Sequence, residues 1–475
     1  LALVFALAGS LASAAFASNI SFSKVVLQAT ANQALGEHGD LNNDGREDFI
    51  TLVNGGFDAV LSTGNGTHAA PVSYQISGGF DAFDVKIGDF NNDGNADLIV
   101  SGSDNNLRLF LNNGHGTFTQ KAVFKTQLQN MEGMAVGDFN HDGLMDIVMT
   151  NYQSSGSRLV VWFGNGKSGF TVGPSTPITN TFGIVLGDFD GDGNADVALQ
   201  NPPDGLEVLY GDGKGRFPVT SWVEIYDATF SVADVNGDGK SDVIAITPQI
   251  GPKGGFSVSY GNAGRSWLIH HLITTAHCAQ TATAADINGD GINDLIVQEV
   301  ECPLNGDVTD HVGVLTRNSN GTYNPEQPIL TSANQGSLSV VQANGDGKAD
   351  LVLPNCAQQP CGPDPALIMT NTTAGNFPPC APPKAFEGIN VCSPATGVVA
   401  TSPVRFAVGA AGQVPMRDVE VWVDGKKLGL QVDGFSRYTF LNRSLSLSAG
   451  THAVAIYAAG WDQSLQKKTF TLKVK

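Results

Sequence analysis

The nine residues DFDGDGNAD, from Asp188 to Asp196, place four carboxylates in one short stretch with two glycines between them. At an effective dielectric of ~20, two like charges ~4 Å apart repel by roughly 4 kcal/mol, against a net domain stability of ~5–15 kcal/mol. Acids so crowded either stay extended in water or turn around a cation, and glycine permits the sharp turn. Read as D-x-[DN]-x-D-G-x-x-D, the stretch offers side-chain oxygens at its first, third, fifth and ninth positions and a backbone carbonyl at the seventh. Flexible oxygen donors, most of them carboxylate, suit Ca²⁺ at 6–8 coordination, while the tighter octahedron of Mg²⁺ ranks second. With neither Cys nor His at a ligand position, zinc and copper are disfavoured there.

The pattern recurs, and it predicts the ligand sets Asp40, Asn42, Asp44, Asp48; Asp89, Asn91, Asp93, Asp97; and Asp138, Asn140, Asp142, Asp146. Further along the chain come Asp188, Asp190, Asp192, Asp196; Asp234, Asn236, Asp238, Asp242; and Asp286, Asn288, Asp290, Asp294. A degraded seventh copy begins at Gln342 and keeps Asn344, Asp346 and Asp350. The expectation is up to seven Ca²⁺ ions, one per copy, with the seventh weakest and the fourth tighter for its extra acid. Affinities in the ~10⁻⁴–10⁻³ M range of extracellular calcium modules are expected. One such motif reads equally well as an Asx turn; seven in register do not. An EF-hand is excluded because strand-like apolar residues follow the loop and no Glu stands three positions after the ninth.

Around each loop the chain repeats itself at intervals of 46 to 56 residues, a period that suits a propeller blade. A short apolar stretch precedes the loop and another follows its last Asp, as in Leu98-Ile99-Val100. A third, such as Leu159-Val160-Val161-Trp162-Phe163, ends in a Gly/Asn-rich turn closed by an aromatic: Phe118, Phe170 or Phe217, with Trp267, Tyr323, Phe377 and His68 as weaker versions. A fourth strand leads to the next unit. The fold class is therefore all-β, a seven-bladed β-propeller over residues 18–380. The last unit lacks a fourth strand because proline-rich PPCAPPKAFEG follows Phe377. The N-terminal strand within Ser21–Thr30 is expected to supply it, so that no edge is left open. After a Pro-rich linker at 381–390, residues 391–475 alternate in pattern between turns such as Asp424-Gly425 and predict a small β-sandwich.

Residues 1–17 are apolar with small residues at their end and read as a secretory signal whose Met and basic region are absent. Cleavage is expected after Ala17 or Ala14, giving a secreted or cell-surface protein with no membrane span after cleavage. A net charge of −19 makes nucleic acid and anionic membranes poor partners. Six cysteines in an exported chain suggest disulfides. Proximity favours Cys278–Cys302, Cys356–Cys361 and Cys380–Cys392.

The units resemble FG-GAP (VCBS-type) repeats, as found in the propeller of integrin alpha subunits and in many exported bacterial proteins. The resemblance covers roughly residues 19–380 and is carried by loop, strand and GNGxGxF turn together. It implies calcium bracing the blades at one face while ligands meet loops at the opposite face. VDGKKLG followed by LSAGTHAVAIYA resembles bacterial Ig-like domains.

Catalytic constellations are not found. Gly166-Lys167-Ser168 and Gly239-Lys240-Ser241 lack the leading glycine of a phosphate loop, and G-x-S-x-G and H-E-x-x-H are missing. His270, His271 and His277 match no ligand spacing and read as solvated or packed. The aromatics Phe118, Phe170 and Phe217 are expected to pack between blades. Phe80, Phe83, Tyr152, Phe182, Trp222 and Tyr226 are placed less regularly and are candidates for a ligand surface. The expected function is a non-enzymatic, calcium-binding adhesion or binding module for an extracellular protein or glycan. Alternatives are a calcium-dependent lectin with one sugar site per blade, or a polysaccharide-acting enzyme such as a lyase.

Overall fold

The computed structural model describes residues 20–27, 34–64, 67–76, 81–153, 156–179, 183–201, 205–224, 229–236, 238, 240–246, 254–290, 292–301, 309–318, 320–333, 338–341, 343–344, 348–354, 366–373, 380, 388–395, 397–460 and 465–475. The leader and its cleavage site lie outside them.

Seven four-stranded antiparallel sheets form the blades of a propeller. Blade 2 shows the plan: Ala82–Gly88, then the acidic loop, then Asp97–Gly102, Asn106–Asn112 and Phe118–Lys125. First strands touch the first strands of neighbouring blades, which places them innermost. Second strands are buried on both sides, as in Asp97–Gly102 and Asp294–Val300. This explains why they read as unbroken Leu, Ile and Val runs, since both of their faces meet other blades. The outermost strand Phe118–Lys125 alternates exposed and half-buried residues instead.

An apolar cluster fills each of the seven interfaces between blades. The one between blades 7 and 1 joins Phe49 and Val60 to Val341, Val352 and Ile368, so the ring is closed. The last sheet comprises Ser339–Val341, Asp350–Pro354, Ala366–Asn371 and the N-terminal strand Phe22–Leu27. Phe22 pairs with Asn371 and Leu27 with Ala366, the closure expected from the missing fourth strand.

A separate six-stranded unit follows, from Gly388 to Val474, so its first strand begins within the stretch expected to be linker. Its two long strands, Val404–Val423 and Lys426–Leu445, pair with each other at both ends and shift register between Ala411 and Met416. The first half of Val404–Val423 pairs with Gly388–Ser393 and the second half with Gly450–Gly460. Phe406, Val408, Val421, Leu441, Ile456 and Leu472, drawn from both halves, share one core. At the turn between the long strands Asp424 and Gly425 both have positive φ, 51° and 78°, as a two-residue type I′ hairpin requires. Cys380 and Cys392 are disulfide-bonded with Cα atoms 5.4 Å apart, and Cys278 is also in a disulfide; Cys302, Cys356 and Cys361 lie outside the described residues. Among the described residues no helix is long and apolar enough to cross a membrane.

Candidate metal centre

Each acidic loop joins the first and second strands of its blade, so all seven lie on one face. The ninth-position acid opens the second strand and is fully buried in every blade: Asp48, Asp97, Asp146, Asp196, Asp242, Asp294 and Asp350. Both of its oxygens accept backbone N–H groups. Asp48 takes those of Leu41 (2.9 Å) and Ser62 (2.7 Å), Asp196 those of Phe189 (2.9 Å) and Gly211 (2.8 Å), and Asp242 those of Val235 (2.9 Å) and Gly261 (3.0 Å). Asp97, Asp146 and Asp294 repeat the arrangement with Phe90 and Asn112, Phe139 and Gly164, and Ile287 and Arg317. Asp350 of the degraded copy accepts from Asn371 (2.6 Å) and Asn344 (3.3 Å). This acid clasps the start of the loop to the end of the third strand, a role the spacing alone did not reveal. Glycine fits at that strand end because a Cβ on Gly164 or Gly211 would lie 2.1 or 2.3 Å from the carbonyl oxygen of Met145 or Ala195.

The other predicted ligands shape the turn. First-position acids accept amides from across it: Asp40 from Asp44 (3.0 Å) and Gly45 (2.9 Å), Asp89 from Asp93 (3.1 Å) and Gly94 (2.8 Å), and Asp138 from Asp142 (3.2 Å) and Gly143 (2.9 Å). Asp188, Asp234 and Asp286 do the same with Asp192, Asp238 and Asp290. At the third position Asn42, Asn91, Asn140, Asp190, Asn236 and Asn288 accept the N–H of the fifth residue. The fifth residues, Asp44, Asp93, Asp142, Asp192, Asp238 and Asp290, accept the N–H of the seventh. Asp346 lies outside the described residues.

Position four is left-handed, with φ of 61°, 59° and 59° at Asn43, Asn92 and His141 and 75° at Gly191. Such values favour Gly and Asn, so the N-D-G and G-D-G spellings are backbone requirements. At two of these positions the side chain also links blades. Asn43 Nδ2 donates to Asn95 Oδ1 (3.1 Å), and His141 Nε2 lies 2.7 Å from Asn194 Oδ1.

Burial pushes the ninth-position acids up, to about 8 for Asp48, Asp97, Asp242 and Asp294 and about 7 for Asp146 and Asp196. The neighbouring loop carboxylates add to the shift and the backbone donors oppose it. Donor convergence is compact: one carboxylate oxygen from each of Asp188, Asp190 and Asp196 lies within 4.8 Å of the others. Each such oxygen has a second lone pair beyond the amide it accepts, so the set fits a hard cation with oxygen contacts of 2.3–2.6 Å.

Some loop charge is already compensated. Arg265, from the turn of blade 5, places Nε 2.7 Å from Asp190 Oδ2 and Nη2 3.3 Å from Asp192 Oδ2. The extra acid of the fourth loop therefore has its own counter-ion. Lys240 Nζ lies 2.8 Å from Asp238 Oδ2. The C-terminal unit reaches the same face: Arg443 Nη2 is 3.4 Å from Asp234 Oδ2, Asn442 Nδ2 donates to Asp286 Oδ2 (2.5 Å), and Ser444 Oγ donates to the Asp290 carbonyl (2.7 Å).

The turn aromatics pack where expected. Phe170 sits 5.8 Å from Phe90, Phe217 6.2 Å from Phe139 and Trp267 5.6 Å from Phe189, each pairing a turn with the second loop position of the preceding blade. Phe118 packs 5.9 Å from Phe57.

Six overlapping stretches, 40–100, 89–149, 138–199, 188–245, 234–297 and 286–353, match the FG-GAP-like repeat family. Every match begins at the first acid of a loop. This chain belongs to the FG-GAP-like repeat family. The sixth match runs on through the seventh, degraded loop of the FG-GAP protein. No curated protein matches it. Among solved structures it is similar to an Agrocybe aegerita lectin described for specific recognition of non-reducing terminal N-acetylglucosamine, at 17% identity over 75% of this chain and 96% of the lectin (TM-score 0.49). The extracellular domain of a putative one-component system of B. thetaiotaomicron is similar at 8% identity, covering 96% of this chain and 59% of that one (TM-score 0.42). AofleA of Arthrobotrys oligospora follows at 10% identity over 66% and 90% (TM-score 0.36).

Proposed function

We propose that this FG-GAP protein is an exported, non-catalytic binding module, braced by calcium at its acidic face and meeting a protein or glycan ligand at the other. The acids of the loop face are committed to building turns and clasping strands. A divalent ion held there would supply the positive charge that the convergent carboxylates lack.

The observation that carries the reading is a pair of exposed aromatics, on neighbouring blades, at the opposite end of the strands. Phe83, at the start of the first strand of blade 2, is 62% exposed, and Tyr152, just after the second strand of blade 3, is 36% exposed. In this reading the two aromatics are candidate contact points of one surface, since only a contiguous exposed patch marks an interaction site, and the double variant below tests whether they form one. Phe80, Phe182 and Tyr226 lie outside the described residues. Connections on this face differ widely between blades, from 54–55 in blade 1 to 355–365 in blade 7, as expected of one irregular surface rather than seven equal pockets. The C-terminal unit, Ig-like in this reading, acts as a spacer.

The test is a glycan array together with a panel of extracellular matrix proteins, probed in calcium and in EDTA. Binding that is lost in a Phe83→Ala/Tyr152→Ala variant of unchanged melting temperature is expected. Several equivalents of monosaccharide per chain, or depolymerisation of a polysaccharide, would overturn it.

A further inference from the structure

We infer that the C-terminal unit is a calcium-released cap, docked on the acidic loops of blades 5 and 6 through Asn442, Arg443 and Ser444, and that a divalent ion in either loop works against the docking. The inference rests on the calcium reading above and goes beyond it, because it gives the unit a regulatory position. All three contacts come from consecutive residues of the strand Lys426–Leu445. Arg443 Nη2 stands 3.4 Å from Asp234 Oδ2, Asn442 Nδ2 donates to Asp286 Oδ2 (2.5 Å), and Ser444 Oγ donates to the Asp290 carbonyl (2.7 Å). Asp234 and Asp286 hold the first positions of their loops. The Asn442 amide is oriented by its neighbours. Arg405 Nε donates to its Oδ1 (2.8 Å), and a guanidinium has only donors, so the amide nitrogen must face Asp286. Arg405 is itself attracted by the carboxylates of Asp286 and Asp290. Two cationic side chains of the C-terminal unit therefore face two acidic loops.

The side chains of Arg443 and Asp234 are largely buried, so charges act on this pair with little screening by salt. With an ion on either oxygen of Asp234, at contacts of 2.3–2.6 Å, Arg443 Nη2 would stand within about 8 Å of a double positive charge. The loop would also lose the net negative charge that attracts the guanidinium. Arg265 meets the same conflict in the loop of blade 4 but belongs to the ring and cannot leave. Arg443 rides on a unit with a core of its own. The strand Lys426–Leu445 also passes near Ala34–Gly39 of blade 1, yet among the described residues no apolar cluster spans the two units. An interface without an apolar core is the kind that opens. A released unit would stay close to the ring. Thr373 and Cys380 are seven residues apart, at most about 25 Å of chain, and the Cys380–Cys392 disulfide fastens that tether to the strand Gly388–Ser393.

The full chain is followed by small-angle X-ray scattering through a calcium titration that starts in EGTA, with calorimetry on the same samples to count the ions taken up. A rise in radius of gyration with calcium is expected as the C-terminal unit swings free. Arg443→Gln should show the larger radius already in EGTA. Asn442→Ala, at a half-buried position, keeps the test valid if the arginine variant fails to fold. It should open at a calcium concentration lower by about fivefold or more, because docking and ion binding oppose each other reciprocally. Ions taken up with no change of radius, or a wild-type response in both variants, would overturn the inference and leave calcium bracing intact. No ion uptake at all would overturn both, and contraction in calcium would show that the unit docks with the ions instead of against them.

Discussion

Arg265 crosses from blade 5 to set its Nε 2.7 Å from Oδ2 of Asp190 in blade 4, pairing with an acid that is only 5% exposed. A guanidinium and a divalent ion would compete for that oxygen. Arg265→Ala is therefore expected to lower the melting temperature in chelator, since an unsatisfied buried acceptor costs about 1–3 kcal/mol. The deficit should shrink in millimolar calcium as the cation replaces the lost charge. Calorimetry with EGTA and with calcium checks this; an equal deficit in both would show that Arg265 and the ion do not share the site.

Asp196 and Asp192 belong to one loop but do different work. Asp196→Ala orphans the N–H groups of Phe189 and Gly211, at about 1–3 kcal/mol for each donor, so destabilisation is expected with or without calcium. Asp192→Ala removes a more exposed oxygen and should matter chiefly in calcium. Denaturant melts of both variants, in chelator and in calcium, separate clasp from ligand.

The raised pKa values fix a direction for pH. Asp48, Asp97, Asp242 and Asp294 stand at about 8 in the fold, against ~3.9 for an aspartate in an unfolded chain. Between those values the fold holds more protons than the unfolded chain, so in chelator stability should fall as pH rises from about 4 to about 8. Calcium, favouring the ionised acids, should flatten that slope. Melting temperatures across this range in EGTA and in calcium provide the measurement; a rise with pH in EGTA would contradict it.

Removing residues 19–30 takes away the strand Phe22–Leu27 that completes blade 7. An exposed edge along Ala366–Asn371 and a lower melting temperature for the whole propeller are expected, together with association between molecules through that edge. An unchanged monomeric melt would refute the closure.

Much of this was legible because the repeat writes the same physics seven times. Loop, second strand and turn aromatic recur in register, and the proline-rich run after Phe377 pointed to a closing strand within Ser21–Thr30, which the fold places at Phe22–Leu27. The hidden parts were pairings between blades. Nothing near Asp190 announces Arg265, which arrives from the next blade. Likewise Asp48 and its counterparts read as ligands by spacing, whereas their double backbone contact depends on where the third strand ends. Asn442 and Arg443 meet the acidic face only because two units of the chain touch.

The closing strand also decides how the ring responds to tension. Phe22 and Asn371 are directly opposite in the antiparallel pair, so the chain enters and leaves blade 7 at the same end. A pull applied ahead of Phe22 and beyond Asn371 loads the rungs one after another, peeling them like a zipper instead of shearing them together. For a protein tethered between two surfaces, blade 7 is the place where the toroid opens first.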